Sequence, residues 1–164
     1  AAALAAAKEV PSKYKGLDID WAKQATGLMG DLYVALNQLP EAEAAYKEYQ
    51  KLYGGAGGTS LQSEVGLARI AASKKQYDEA RKRLESVTSR ALEEKTPPVP
   101  ATAALYGQAF YVLGTIDEAQ DRKQDALENY LRTVTVFYQD ATAAAAAQER
   151  ADALRAADKT LTVR

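Results

Sequence analysis

The chain has 164 residues, about the length of one domain, and its 21 basic and 22 acidic residues give a formal net charge of −1. A near-neutral chain lacks the basic surface with which proteins displace counterions from nucleic acid, so we expect no nucleic-acid partner. It contains no cysteine and no histidine, which excludes disulfides, thiolate nucleophiles, histidine acid–base catalysis and zinc sites of the usual ligand set.

The first half of the chain begins with an alanine run and then shows helical periodicity. Residues 1–10 are interpreted as the start of a helix, the remnant of a preceding unit, or a mature end left after signal cleavage. A first helix is predicted over 19–38, with Asp18 or Asp20 as its cap. The glycine run at 54–58 predicts a turn that leads to a cap at Thr59 or Ser60.

The second half is divided by a proline-rich link. Residues 95–100 read Lys-Thr-Pro-Pro-Val-Pro, which predicts a stiff extended segment. An unusually long helix is expected to begin at Pro100 or Thr102 and to continue to about Arg122. A capping helix follows over approximately 141–159, with Asp140 as its cap. No stretch approaches 18 uninterrupted apolar residues, so we expect no direct insertion into a membrane.

A small residue, an alanine and a large residue recur in three copies with constant spacing. The alanine follows the small residue by 12 positions, and the large residue follows it by 16. Leu or Ile occurs two positions after the small residue in each copy. Internal repetition of this kind predicts a repeat architecture. The three sets are Gly30, Leu32, Ala42 and Tyr46; Ala68, Ile70, Ala80 and Leu84; and Gly114, Ile116, Ala126 and Tyr130.

Each copy is interpreted as a helical hairpin. A small residue on the first helix lets the second helix approach closely, and the large residue fills the adjacent space. Glu41, Glu79 and Asp125 fall in the first turn of each second helix, where they complement the positive end of the helix dipole. Pro40 suits a first helical turn because its missing N–H is not needed there.

Three segments resemble the tetratricopeptide repeat family, and together the likeness covers residues 22–139. The resemblance implies a single all-α domain over 1–164, built from antiparallel helical hairpins stacked as a right-handed superhelix. It places the repeats at approximately 22–53, 60–92 and 106–139. The segments are MGDLYVALNQLPEAEAAYKEYQKLY, LARIAASKKQYDEARKRLESV and LGTIDEAQDRKQDALENYLRTV.

The resemblance also implies a binding groove along the first helix of each hairpin. Three glutamines recur in one register, which indicates either an amide ladder for a peptide backbone or solvated polar positions. The Lys and Asn clamp of the family's best-known peptide groove is missing, which argues against a chaperone-tail receptor. The expected partner-binding residues are Gln24, Asp31, Gln62, Val65, Arg69, Gln108, Tyr111, Thr115 and Glu118.

Three further patterns allow a functional and a plain interpretation. A basic cluster on residues 74–83 could meet an acidic partner, although a solvated helix face is favoured. The tyrosines at 46, 49 and 53 could anchor an interface, although a buried stripe is favoured. The carboxylates Asp117, Glu118 and Asp121 could suggest acid–base or metal chemistry, but only the first and last share a helix face. We therefore expect no catalysis.

The sequence thus predicts a non-catalytic scaffold or adaptor that binds a protein or peptide partner, without cofactor or metal. A structural homo-oligomerisation module and an accessory repeat domain of a larger multidomain protein are the alternatives. The ending LENYLRTVTVFYQDATAAAAAQERADALR is similar to bacterial envelope-associated repeat proteins. This likeness favours the periplasm or cell envelope over the cytoplasm without deciding the compartment.

Overall fold

The computed structural model describes residues 9, 13, 20–53 and 60–162, with the side chains of 20–24 left out. Within these ranges every regular element from residue 20 onward is an α-helix, and no strand occurs, so the predicted all-α class is confirmed. The helices are α1 (Asp20–Ala35), α2 (Leu39–Tyr53), α3 (Leu61–Ser73), α4 (Tyr77–Glu93), α5 (Pro100–Ala119), α6 (Lys123–Thr135) and α7 (Ala141–Ala157).

The chain forms two compact units, Ala1–Ile70 and Ala71–Arg164. In the first unit α1 packs against α2. Its core is formed by buried residues of α2 and α3, with partly buried side chains from the end of α1 and the start of α2 packed around them. The buried members are Ala42, Tyr46, Leu67 and Ile70, and the surrounding ones are Tyr33, Val34 and Leu39.

In the second unit α5 packs against α4, α6 and α7. Helices α5 and α6 run antiparallel, because later residues of α6 meet earlier residues of α5. Asn129 bonds to Asp117, whereas Thr133 bonds to the carbonyl of Gly107. A second apolar cluster joins α6 to α7, and it consists of Ala126, Leu127, Tyr130, Ala147, Ala151 and Leu154.

Three turns of identical design follow α1, α3 and α5. Asn37, Lys75 and Asp121 have φ values of 56°, 60° and 57°, and each lies seven positions after the small residue of its copy. In each turn the left-handed residue donates to the carbonyl three positions back, and the next residue donates to a carbonyl five positions back. This closure satisfies carbonyls at the end of the preceding helix. The repeat is therefore present in the backbone as well as in the sequence.

The small residues bring helices into close contact, as the spacing predicts. A Cβ added to Gly30 would lie 2.6 Å from Cδ1 of Tyr46, and one added to Gly114 would lie 2.5 Å from Cε1 of Tyr130. Tyr46 also meets Gly66 of α3, where a Cβ would lie 2.5 Å from Cε2. The recurring alanines Ala42, Ala80 and Ala126 are fully buried.

Element boundaries differ from expectation at two helix ends. The first helix stops at Ala35 rather than at residue 38, and α5 stops at Ala119 rather than near Arg122. In both cases a left-handed turn residue ends the helix earlier than apolar periodicity indicates. The predicted cap of α7 is confirmed, since the Asp140 carboxylate accepts from the N–H groups of Thr142 and Ala143 at 3.0 Å. The features expected at residues 1–10, apart from residue 9, and at residues 18 and 54–59 lie outside the described residues.

We predict that Gly114→Ala destabilises the protein by about 1–3 kcal/mol, because the buried Tyr130 ring has no room to retreat. The direction of this change is informative, because Gly→Ala inside a helix otherwise stabilises a protein by about 1 kcal/mol. Urea unfolding measures the change in the free energy of unfolding.

The control is the same substitution in a Tyr130→Leu background, because Leu84 stands at this register in the second copy. There Gly114→Ala is expected to be neutral or stabilising. An equal loss in both backgrounds would contradict the contact.

Candidate functional site

Asp31 connects three helices of the first unit. Its Oδ1 accepts from the Tyr46 hydroxyl at 2.6 Å, and its Oδ2 accepts from Nε2 of Gln62 at 2.8 Å. Gln62 also lies against Gly27, where an added Cβ would stand 2.8 Å from the amide carbon Cδ. Two predicted groove residues, Asp31 and Gln62, therefore meet each other and link α1 to α3.

Glu118 repeats this arrangement in the second unit. Its Oε2 accepts from the Tyr130 hydroxyl at 2.8 Å and from Nη1 of Arg150 at 2.9 Å. In the same unit Nε2 of Gln108 donates to Oδ2 of Asp140 at 2.6 Å. Glu118 and Gln108 thus connect α5 to α7 and to its cap. In both units a carboxylate on one helix holds a tyrosine of the second helix and a donor of the third.

The two tyrosines are held in their neutral form. Burial and the neighbouring Asp31 carboxylate raise the pKa of Tyr46 far above its ordinary value. Burial and the hydrogen bond to Glu118 do the same for the pKa of Tyr130. A neutral phenol is the donor that a carboxylate requires, so each pair stays hydrogen-bonded across the physiological range.

The remaining predicted groove residues differ in exposure. Val65 is buried and offers almost no surface. Arg69, Tyr111 and Thr115 are half-buried. The Thr115 hydroxyl donates to the Val112 carbonyl of its own helix at 2.7 Å, so this side chain makes no polar link between helices. The side chain of Gln24 lies outside the described residues. That these positions form one groove stays a prediction.

No protein-family model matches the chain, and no curated protein or solved structure matches it. Within the described part of the chain, no helix is both long and apolar enough to cross a membrane. The functional assignment therefore depends on the side-chain geometry itself.

Asp117 forms a buried ionic cluster that sequence reasoning did not anticipate. Its side chain is 1% exposed. Its Oδ1 accepts hydrogen bonds from Nη2 of Arg81 at 2.5 Å and from Nε of Arg122 at 2.9 Å. Oδ2 accepts from Nδ2 of Asn129 at 2.8 Å. Burial raises the pKa of Asp117, while Arg81 and Asn129 oppose that shift. The cluster joins α4, α5 and α6 and leaves the carboxylate no open face for substrate.

The three candidate carboxylates do not converge. Asp117 faces its arginines, Glu118 faces Tyr130 and Arg150, and Asp121 is exposed beside Lys123 at 3.4 Å. Across the described ranges no group of three acidic residues is placed to hold a metal ion. Each of the three carboxylates pairs with a different cationic side chain, as in structural ion pairs.

The residues of the basic cluster have different surroundings. Arg81 binds Asp117, and Arg83 pairs with Glu79 at 3.1 Å on the same helix. Lys74, Lys75 and Lys82 are exposed. The exposed lysines fit the favoured interpretation of a solvated helix face, whereas both arginines already pair with carboxylates.

The tyrosine stripe on α2 packs inward as favoured. Tyr46 is fully buried, and the half-buried rings of Tyr49 and Tyr53 lie 5.4 Å apart between centroids. These contacts leave Tyr46 no surface for an interface.

We predict that Asp117→Ala lowers the free energy of unfolding by about 2–4 kcal/mol, because Arg81 and Arg122 lose their counter-charge and Asn129 loses its acceptor. Both arginines retain access to water, which limits the loss. The matched control is Glu79→Ala, which removes the exposed pair with Arg83 and is expected to cost less than about 1 kcal/mol. Equal losses would show that the Asp117 cluster contributes no more than a surface pair.

A second prediction concerns alkaline pH. The pKa values of Tyr46 and Tyr130 are raised in the folded protein. Their full contribution to the free energy of unfolding is therefore present below the pKa of about 10 that tyrosine has in the unfolded chain. Above it the unfolded chain ionises preferentially, and stability falls by up to about 1.4 kcal/mol per pH unit for each tyrosine. Urea unfolding at pH 9 and pH 11 measures the slope.

The Tyr46→Phe/Tyr130→Phe variant should show a shallower slope than the wild type. Tyr138→Phe should retain the wild-type slope, because Tyr138 is exposed. An unchanged slope in the double variant would refute the assignment.

Proposed function

We propose that this protein is a non-catalytic scaffold of tetratricopeptide-type hairpins that binds a segment of a partner protein. The observation that carries the proposal is the threefold recurrence of one turn between successive helices. Asn37, Lys75 and Asp121 close three equivalent turns with the same hydrogen-bond pattern. A repeat built for regular stacking presents an extended surface, and such surfaces are typically used for binding.

The way third helices pack supports regular stacking within each unit. Gly66 of α3 contacts the ring of Tyr46, which already touches Gly30 of α1. In the second unit α7 packs against both α5 and α6, with Ala147 and Ala151 in the Tyr130 cluster. A tyrosine of the second helix therefore contacts both the first helix of its own hairpin and the helix that follows, which is the geometry that a superhelical array would propagate.

The polar links make the proposed binding face rigid before a partner arrives. Asp31 fixes Gln62 relative to Tyr46, and Glu118 fixes Arg150 relative to Tyr130. Preformed surfaces lose less conformational entropy on binding than flexible ones. The half-exposed Arg69 and Thr115 are then the members of the predicted groove that remain available for a partner segment, whereas Tyr111 packs against Tyr130 and lies beside Arg150.

The proposal predicts that Thr115→Lys and Arg69→Ala reduce partner recovery by at least about tenfold, the loss typical of an interface anchor. Both side chains are half-exposed, and the Thr115 hydroxyl bonds only its own helix. Affinity capture with quantitative mass spectrometry compares each variant with the wild type, and circular dichroism verifies folding.

Lys82→Glu is the control, because Lys82 is exposed on α4, outside the predicted groove. It should recover the same partner as the wild type. Equal recovery by all variants would remove the first-helix face as the binding site. Concentration-dependent light scattering that disappears in Thr115→Lys would instead favour homo-oligomerisation.

A further inference from the structure

The segment that follows α7 leaves its helix differently from the three repeated turns. Its first residue, Asp158, has φ −140° and ψ 103°, whereas the residue that closes each repeated turn is left-handed. Oδ1 of Asp158 accepts from the Thr160 backbone N–H at 2.9 Å and from the Thr160 hydroxyl at 2.6 Å. Within the described residues no helix begins after this turn. We call residues 158–162 the strap.

The strap reaches the start of α6, where the Gln124 side chain pairs with its main chain. Nε2 of Gln124 donates to the Thr162 carbonyl at 2.7 Å, and the Thr162 N–H donates to Oε1 of the same amide at 3.3 Å. Nε2 also donates to Oε1 of Glu128 at 3.0 Å, which orients the amide from the next turn of α6. A side-chain amide that engages both backbone groups of one residue binds main chain, whatever side chain that residue carries.

Leu161 supplies the apolar part of the contact. Its side chain is half-buried and packs against the cluster that joins α6 to α7. The six buried residues of that cluster are 7% exposed or less. Lys159, Thr160 and Thr162, by contrast, are exposed. The strap therefore contacts the helices through one leucine and the main chain of one residue, as a short peptide ligand does.

The small size of this contact allows the strap to open while the helices stay folded. Both hydrogen bonds to Gln124 are exposed, and Leu161 is the strap's member of the apolar cluster. Segments with few buried apolar contacts and exposed backbone hydrogen bonds open at much lower free energy than the whole domain unfolds. The other members of the cluster keep α6 and α7 packed together when the strap opens.

We propose that the start of α6 and the adjoining α6–α7 cluster form a peptide-binding site, and that the strap is its intramolecular ligand. The ligand is a short segment in which an aspartate-capped turn precedes a leucine, of the form Asp-x-Thr-Leu-Thr. Gln124 binds its main chain, and the cluster binds its leucine. The strap keeps the site closed in the free chain, and a partner segment of the same form binds when the strap opens. The site lies outside the predicted groove and does not rest on the scaffold function.

The test titrates two end-blocked pentapeptides into isotope-labelled full chains. The first peptide is Asp-Lys-Thr-Leu-Thr, and the second has Asp in place of Leu. Leu161→Asp opens the strap and leaves the site intact, because an unpaired carboxylate is costly to place on an apolar surface. We expect the first peptide to shift the Gln124 side-chain and Leu127 backbone amide resonances of this variant, and the second peptide to shift neither. A strap that is closed at least about 90% of the time makes the wild type bind the first peptide at least about tenfold more weakly than Leu161→Asp does.

Two further variants test the closure. Asp158→Ala removes the acceptor of both Thr160 hydrogen bonds and retains Leu161, so its affinity for the first peptide should exceed that of the wild type. Leu92→Asp, at a residue 62% exposed on α4, should bind as the wild type does. Circular dichroism verifies folding of each variant, and Asp158→Ala decides the test if Leu161→Asp fails to fold.

A matched pair of amide variants tests the binding of the main chain. In the Leu161→Asp background, Gln124→Ala should weaken binding of the first peptide by about threefold or more, because two hydrogen bonds are lost. Gln148→Ala in the same background should leave the affinity unchanged, because that amide donates to Asp152 within α7.

Absence of shifts in both Leu161→Asp and Asp158→Ala at millimolar peptide would overturn the site, and affinities equal to that of the wild type would overturn its closure by the strap. Self-association of the wild type that Leu161→Asp removes would overturn the intramolecular assignment, since the strap of a second copy would then fill the site. Partner loss in Thr115→Lys and Arg69→Ala is independent of these outcomes, so this proposal and the scaffold function fail separately.

Discussion

The contact between a tyrosine ring and a glycine on the neighbouring helix determines how closely the helices of this protein pack. Tyr46 fills the space beside Gly30, and Tyr130 fills the space beside Gly114. Each ring is large and fully buried, so it contributes much of the apolar area removed from water in its unit. The glycines are essential because any Cβ would occupy the volume of the ring. The separation of α1 from α2, and of α5 from α6, follows from this pairing.

Burial of the tyrosine imposes a polar requirement, because its hydroxyl needs an acceptor inside the protein. Asp31 and Glu118 supply that acceptor from different register positions, one and four residues after the glycine. Each carboxylate in turn takes a second donor from the third helix, either Gln62 or Arg150. The apolar contact and the polar link therefore act on the same three helices, which makes the packing of each unit specific as well as close.

Sequence spacing was sufficient to predict the contacts within the first and third hairpins, because the Gly–Ala–Tyr register directly encodes which side chains of α1 and α2, and of α5 and α6, meet. It did not reveal Gly66 as a second contact of Tyr46, since that contact joins different hairpins. Gln62 lies on α3 and Gln108 and Glu118 lie on α5, but the groove prediction did not anticipate their interhelical partners. Asp117 was assigned no structural role, because Arg81 lies 36 residues away and only packing brings the two together.

Several predicted groove residues form hydrogen bonds between helices, and this changes where a partner is expected to bind. Side chains committed to links between helices stabilise the scaffold, and a partner that recruited Gln62 or Glu118 would have to break bonds that hold α3 or α7 in place. Surfaces without such commitments lie at Arg69 and Thr115, whereas Tyr111 already packs against Tyr130.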